Sequence, residues 1–121
     1  MSATNNIALV FELAGLGEQE RVADSFSTAT TITAKHHGYQ TQAVADTAEA
    51  LDLGGVSTIE LILIHCISND VDIDTTYVSS FSAEIAVNEG EWAMFKPEGT
   101  VYIKNDDSSE QSVVEVWVWG T

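Results

Sequence analysis

Short runs of β-branched, aromatic and aliphatic residues recur along this chain, with turn-forming residues between them at near-regular intervals. Such residues pack well on a pleated sheet, and many short strands in this rhythm are typical of β-sandwiches and β-barrels. We therefore predict an all-β fold, a single jelly-roll-like β-sandwich of about eight antiparallel strands. The candidate strands, of which 21–26 is the weakest, are residues 6–14, 21–26, 28–35, 39–44, 59–67, 71–78, 81–87, 91–96, 100–104 and 112–119.

Turn residues set the boundaries of several of these strands. Residues 96–99, Lys-Pro-Glu-Gly, have the proline and glycine positions of a type I turn. Residues 88–90, Asn-Glu-Gly, predict a short hairpin loop in which Gly90 takes the left-handed conformation. Residues 36–38, His-His-Gly, are expected to interrupt a strand. Residues 46–51 fit either a short capped helix or extended structure, and we favour extended structure because so short a helix is marginal.

The size and composition of the chain indicate one folded domain. Its 121 residues, 45% of them hydrophobic, fall within the common range for a single domain. A chain of this length buries about two-thirds of its unfolded surface, which is enough for a core without disulfides or metal. We assign residues 1–121 to one β-sandwich domain, with residues 1–6 as a candidate N-terminal arm.

The charge balance is strongly acidic. Nineteen Asp and Glu residues face four Lys and Arg residues, so the formal net charge is −15. Binding to a phosphate backbone or to an anionic membrane surface needs clustered basic residues, which this chain lacks. We therefore expect neither nucleic acid nor a membrane as a partner. The acids are expected to form a solvated face, with a calcium site or a basic partner surface as the alternatives.

The start of the sequence does not resemble a secretory signal, because residues 1–6 contain neither a basic nor an apolar segment. The longest apolar run is also too short to span a bilayer. Cys66 is the single cysteine, so a disulfide within the chain is impossible, and its apolar neighbours predict a buried, inert thiol. We expect a protein that is made in the cytoplasm.

Three strands have two apolar faces, although a one-layer sheet needs only one. A sandwich core accounts for one face of each strand. The other face is covered either by the chain's own N-terminal half or by another subunit, for which Trp and Met are typical anchors. The candidate interface residues are Ile62, Ile64, Trp92, Met94, Trp117 and Trp119.

Few residues fit metal-binding or catalytic patterns. Asp70, Asp72 and Asp74 have the spacing that opens a calcium loop, but the later positions lack the Gly and Glu that an EF-hand needs. They form a weak Ca²⁺ candidate, and a solvated strand edge is the favoured interpretation. Adjacent strand residues point to opposite faces, so His65 and Cys66 cannot form a catalytic pair. Without a nucleophile or phosphate-loop motif, we predict no enzyme activity and no cofactor.

Three turn-and-strand segments follow one another in residues 47–119. They are Leu51-Asp52-Leu53-Gly54 before the central apolar strand, Gly90-Glu91-Trp92-Ala93, and the aromatic last strand Val113-Val114-Glu115-Val116-Trp117-Val118-Trp119. This order resembles that of small structural proteins of tailed bacteriophages, which are capsid decoration, cement or tail-associated β-sandwich proteins. That group often has Lys-Asn after the central strand, whereas this chain has His65-Cys66, and nothing functional transfers at that point.

The resemblance implies a virion subunit present in many copies and without catalytic residues. The function implied first is a capsid decoration or cement protein that stabilises the head through contacts with the major capsid protein and other virion proteins. A symmetric homo-oligomer, with a trimer favoured, suits that role. A strongly acidic protein also suits the outside of a head better than its DNA-filled interior. The alternatives are a tail or neck component and a carbohydrate-binding β-sandwich module with exposed Trp and Tyr side chains.

Overall fold

A computed structural model describes residues 3, 5–17, 20–27, 31–42, 47–105, 107 and 109–121 of the chain. This part of the chain contains no helix that could cross a bilayer, and its regular structure consists of β-strands. The strands are β1 Ile7–Leu13, β2 Glu20–Phe26, β3 Ala34–Thr41, β4 Glu49–Ala50, β5 Ile59–Ser68, β6 Val71–Asp74, β7 Ile85–Val87, β8 Trp92–Phe95, β9 Tyr102–Lys104 and β10 Val113–Gly120.

Eight of these strands form two four-stranded antiparallel sheets. The first sheet has the order β3-β10-β5-β8 and the second has the order β4-β9-β6-β7. The pairing is nested, because β3 pairs with β10, β4 with β9, β5 with β8, and β6 with β7. This is the pairing of one long hairpin wound into two layers, which is a jelly roll. The predicted all-β, jelly-roll-like sandwich is therefore confirmed, and β1 and β2 add a hairpin to it.

The core lies between the two sheets. Side chains alternate between the faces of each strand, so every second residue of β5, β6 and β10 points inward. Complete burial of one such aliphatic side chain stabilises the fold by roughly 1.5–3 kcal/mol. Side chains at most 2% exposed include Ile62, Ile64, Val114, Val116 and Val118 from the first sheet and Val71, Ile73, Val87 and Ile103 from the second.

Two local predictions are wrong. Residues 36–38 do not interrupt a strand, because β3 pairs with β10 along its whole length and Gly38 lies opposite Val116. Gly90 has the expected left-handed conformation, with φ 86°. However, the turn that contains it does not close a hairpin, because β7 pairs with β6 in the second sheet and β8 pairs with β5 in the first.

The strands β6 and β7 are shorter than predicted. Between them, the carboxylates of Asp74 and Glu84 accept hydrogen bonds from the backbone N–H groups of Thr75, Thr76 and Ser82. These N–H groups are therefore satisfied by side chains, and no neighbouring strand is needed to pair with them.

The N-terminal half contains predictions that the structure tests only in part. Residues 47–51 form no helix, and the short strand β4 pairs with β9, as the favoured extended interpretation predicted. The predicted helix cap, Asp46, lies outside the described residues, as do 28–30 and 43–44 of two predicted strands. In the candidate arm, Ala3 forms two backbone hydrogen bonds with Ile32, at 2.7 and 3.1 Å.

Candidate interaction surface

The two apolar faces of β5 have different surroundings. Ile62, Ile64 and Cys66 point into the core and are fully buried, whereas Leu61 and Leu63 at the alternate positions are partly exposed. Because strand side chains alternate, the odd-numbered side of β5 lies on the outside of the first sheet. This corrects two of the interface candidates, since Ile62 and Ile64 are core residues and are out of reach of a partner.

Cys66 is a core residue, as predicted, and its thiol lies 2.6 Å from the carbonyl oxygen of Asn69. Burial, with a smaller effect from three nearby carboxylates, raises the pKa of this thiol to about 11. The thiol is therefore protonated at neutral pH and is a poor nucleophile. The His65 ring lies on the opposite side of β5, where it stacks on Trp92.

Every strand of the first sheet contributes large side chains to its outer surface. Trp117 lies between His37 and Leu63 in the register of the sheet, and Met94 lies beyond Leu63. We call this surface the outer face. It consists of Lys35, His37, Tyr39, Leu61, Leu63, His65, Trp92, Met94, Glu115, Trp117 and Trp119. The remaining interface candidates, Trp92, Met94, Trp117 and Trp119, are therefore brought together on one surface.

Four rings of the outer face form one nearly parallel stack. The ring centroids are 4.8 Å apart for His37 and Trp117, 5.6 Å for Trp117 and Trp92, and 4.1 Å for Trp92 and His65. The planes of these successive pairs differ by 5°, 20° and 6°. Rings at these distances and angles are offset-stacked, so each ring covers part of its neighbour's face. Trp92, within the stack, is still 55% exposed.

The outer face carries little exposed charge. Its acidic residue, Glu115, has only 14% of its side chain exposed, and Nε2 of His37 lies 3.7 Å from its carboxylate. The Tyr39 hydroxyl donates a hydrogen bond to Glu115, and this bond, together with the charge of Glu115, raises the pKa of Tyr39. Lys35 lies at one margin of the face. A broad surface with its carboxylate enclosed is unusual in a chain of net charge −15, and it favours contact with protein.

The hairpin of β1 and β2 has one apolar side. In its register Ile7 faces Phe26 and Phe11 faces Val22. We call this side the hairpin face. Its apolar residues are Ile7, Leu9, Phe11, Leu13, Val22 and Phe26, and all of them except Ile7 are exposed. Glu20 and Asp24 share this side of the hairpin. The opposite side of the hairpin is mostly small or polar, with Ala8, Val10, Glu12, Arg21, Ala23 and Ser25.

The base of the hairpin and the outer face border an open cleft of about 410 Å³. Ile7 and Leu9 line it from the hairpin, and Leu61, Leu63, Met94 and Trp119 line it from the sheet. Within the described residues, β1 and β2 pair with each other and with no strand of either sheet. The base of the hairpin therefore lies beside the outer face, but the hairpin does not pack over that face.

Two of the three carboxylates of the calcium candidate, Asp70 and Asp74, accept hydrogen bonds from different loops. Asp70 accepts the backbone N–H of Glu89 at 3.0 Å. Asp74 is 1% exposed and accepts the N–H groups of Ser82 and Thr76, both at 2.9 Å, which hold its pKa below the usual range. In the part of the chain that the structure describes, no group of three or more His, Cys, Asp or Glu side chains could hold a metal ion. Asp70 and Asp74 are therefore acceptors that fix loop backbone.

The sequence pattern does not reveal the whole surface. Large apolar residues occupy positions 7, 9, 11 and 13, with Ala8, Val10 and Glu12 between them, and a strand side of this kind is usually covered by a core. His37 and Tyr39 join the outer face because β3 continues through Gly38, where a break was expected. The stack of His and Trp rings also depends on strand pairing that is distant in sequence.

No family model, curated protein or solved structure matches this chain. The chemistry of the outer face and the hairpin face is therefore what indicates a function. Both surfaces are apolar, carry few charges and lie next to each other, and such surfaces are suited to contacts with protein.

Proposed function

We propose that this chain is a structural protein of a bacteriophage particle, most specifically a capsid decoration or cement protein that acts through protein–protein contacts and not through catalysis. The observation that carries the proposal is the presence of two exposed apolar surfaces on a molecule of net charge −15. Large exposed apolar patches on soluble proteins mark interaction sites, since water contact with them is unfavourable.

The hairpin gives this proposal its strongest support. An isolated two-stranded hairpin is marginally stable in water, yet Leu9, Phe11 and Val22 of this one are 45%, 53% and 51% exposed. Complete burial of an apolar side chain of this size contributes roughly 1.5–3 kcal/mol. Docking on a protein partner would therefore stabilise the hairpin and the assembly together.

The fold and the charge are compatible with a position on a capsid. Jelly rolls occur in viral capsid proteins, although the same fold also serves lectins and enzymes. The acidic surface favours the outside of the head, because packaged DNA would repel it. The partners proposed are the major capsid protein, other virion proteins and further copies of the chain, with a trimer favoured. The order of segments in residues 47–119 that resembles small tailed-phage proteins supports the same role.

A tail or neck component is the nearest alternative, since it would use the same two surfaces. A carbohydrate-binding module receives less support, because sugars stack on exposed faces of aromatic rings. In the stack of His37, Trp117, Trp92 and His65, part of each ring face is occupied by a neighbouring ring. Titration with sugars, followed by Trp fluorescence, separates these functions, because a saturable change would favour the module.

Particles purified from a culture that carries the gene test the proposal. An antibody against the purified chain should label the outside of intact heads in electron micrographs, and mass spectrometry should find the chain in many copies per particle. Labelling confined to tails would favour the tail alternative. The presence of the chain in the unassembled fraction together with its absence from banded particles would overturn the proposed function.

A further inference from the structure

We infer that the hairpin face of one copy docks on the outer face of a second copy of the same chain. The inference rests on the proposed function and deepens it by naming the first partner of these surfaces. It requires that the two surfaces match in size and in charge. It also requires that the hairpin of a copy leaves its own outer face accessible.

The two surfaces match in size. Strands of seven residues, with a rise of about 3.3 Å per residue and a spacing of about 4.8 Å, give the hairpin face dimensions of roughly 23 by 10 Å. The four strands of the first sheet give the outer face a width of roughly 19 Å. A docked hairpin would therefore form a third layer of the sandwich and would fit within the width of the sheet.

The charges on the two surfaces are few and of opposite sign. Two carboxylates lie on the hairpin face itself, Asp24 opposite Leu9 and Glu20 opposite Leu13. The outer face has Lys35 and His37, and its carboxylate, Glu115, is already engaged by His37. Contact between the two faces therefore buries apolar surface without forcing like charges together, which would be costly in an interface.

A copy's own hairpin does not fill its outer face. The cleft of about 410 Å³ stays open between Leu9 and the outer-face residues Leu61 and Met94. Away from the base of the hairpin, Phe11 is 53% exposed, and on the outer face Trp92 is 55% exposed. Both surfaces are therefore accessible to a second copy.

The buried area favours an arrangement in which every copy uses both surfaces. A footprint of roughly 23 by 10 Å buries roughly 460 Å² counted on both partners, whereas specific interfaces need about 1,000 Å² or more. In a two-fold dimer that exchanges hairpins, both contacts belong to one interface, which buries roughly 900 Å² and leaves neither surface exposed. A ring of three copies also uses both surfaces, with one contact in each interface.

Light scattering on a sizing column, over a wide range of protein concentration, tests the inference. The wild type should associate to a multiple of the 13.0 kDa protomer. Phe11→Ser on the hairpin face and Met94→Ser on the outer face should each raise the dissociation constant at least about tenfold. Val10→Ser is the matched control, because Val10 is 62% exposed but lies on the opposite side of β1, and it should change the constant less than about twofold.

Circular dichroism spectra should show that all three variants keep the fold. A wild type that is monomeric at every concentration would overturn the inference. So would an oligomer that Val10→Ser weakens as much as Phe11→Ser, or one that neither Phe11→Ser nor Met94→Ser affects. The two proposals fail separately: a monomer that is nevertheless found on particles retains the proposed function, and an oligomer that is absent from particles retains only the docking.

Discussion

The carboxyl group of Asp74 is the clearest case in which one residue both shapes the fold and gives it a pH dependence. Hydrogen bonds from the backbone N–H groups of Ser82 and Thr76 lower the pKa of Asp74, and the Thr75 and Thr76 hydroxyl groups lower the pKa of Glu84. A carboxyl whose pKa is lowered by folding stabilises the folded state when it is ionised. This stabilisation is complete above the unfolded-state pKa of about 4 and is lost as the pH falls through the folded-state value.

Asp74→Asn should lower the thermal midpoint by several degrees near neutral pH, because an amide cannot accept both N–H groups. The difference from the wild type should narrow as the pH falls below about 4, because the unfolded wild type there takes up a proton at Asp74 that the folded protein does not yet bind. Circular dichroism melts across that pH range measure the effect. Glu98→Gln, which changes an exposed carboxylate in a turn, is the control and should match the wild type. A difference that stays constant into acid would show that the ionised carboxylate is not what stabilises the loop.

At the scale of strands, the sequence predicts where each strand lies better than it predicts which strands pair with each other. The strands β5 and β10 lie within one residue of the predicted bounds, because each is a long, mostly apolar segment next to polar residues. The turn at Gly90 is correct in its backbone conformation but not in its connection. Local residues determine a turn, whereas the pairing of its flanking strands depends on contacts distant in sequence.

The sequence likewise identifies some residues of the outer face but does not show which side of each strand is exposed. Trp92, Met94, Trp117 and Trp119 stand out in the sequence as large side chains on two-faced strands. Both sides of β5 are equally apolar, so nothing local distinguishes Ile62 and Ile64, which are buried, from the outward-facing leucines. The exposure of the hairpin is also hidden from the sequence, because an alternating strand looks the same whether or not another layer covers it.

The end of β10 gives a test of close backbone packing between elements. A Cβ atom at Gly120 would lie 1.9 Å from the carbonyl oxygen of Thr58, which also accepts a hydrogen bond from the N–H of Thr121 at 3.0 Å. Gly120→Ala should therefore separate these segments and reduce the free energy of unfolding by about 3 kcal/mol. Urea unfolding at equilibrium measures this loss.

Gly90→Ala is the control for Gly120→Ala. An added Cβ at Gly90 meets no atom within 4 Å, so only the left-handed backbone, at φ 86°, opposes the substitution. The expected loss is about 1 kcal/mol. Equal losses for the two variants would show that the approach of Gly120 to Thr58 is not a tight contact.

At the scale of the whole molecule, two forces of opposite sign act between copies. The net charge of −15 repels copies at long range, while the outer face and the hairpin face attract them on contact. Salt strongly weakens only the charge repulsion, because the screening length falls from about 10 Å at 0.1 M to about 3 Å at 1 M ionic strength. The balance between them predicts how association responds to salt.

Raising the sodium chloride concentration from roughly 0.1 M to 1 M should strengthen self-association of the wild type, because repulsion between acidic copies is screened. Sedimentation equilibrium at several salt concentrations measures the dissociation constant directly. Phe11→Ser, measured in parallel, should respond to salt by a similar factor, because it keeps the net charge, but should associate more weakly than the wild type at every salt concentration. Dissociation at high salt would instead indicate an interface held by ion pairs.

Photo-crosslinking from the hairpin tests the docking of one copy on another most directly. Isotopically labelled protein with benzoylphenylalanine in place of Phe11 would be equilibrated with unlabelled wild type, irradiated, digested and analysed by mass spectrometry. We predict crosslinks from the labelled hairpin to unlabelled peptides that contain residues 61–65 or 92–94 of the outer face. Crosslinks confined to the labelled copy's own outer face would mean that the hairpin closes on its own sheet, and they would contradict the account.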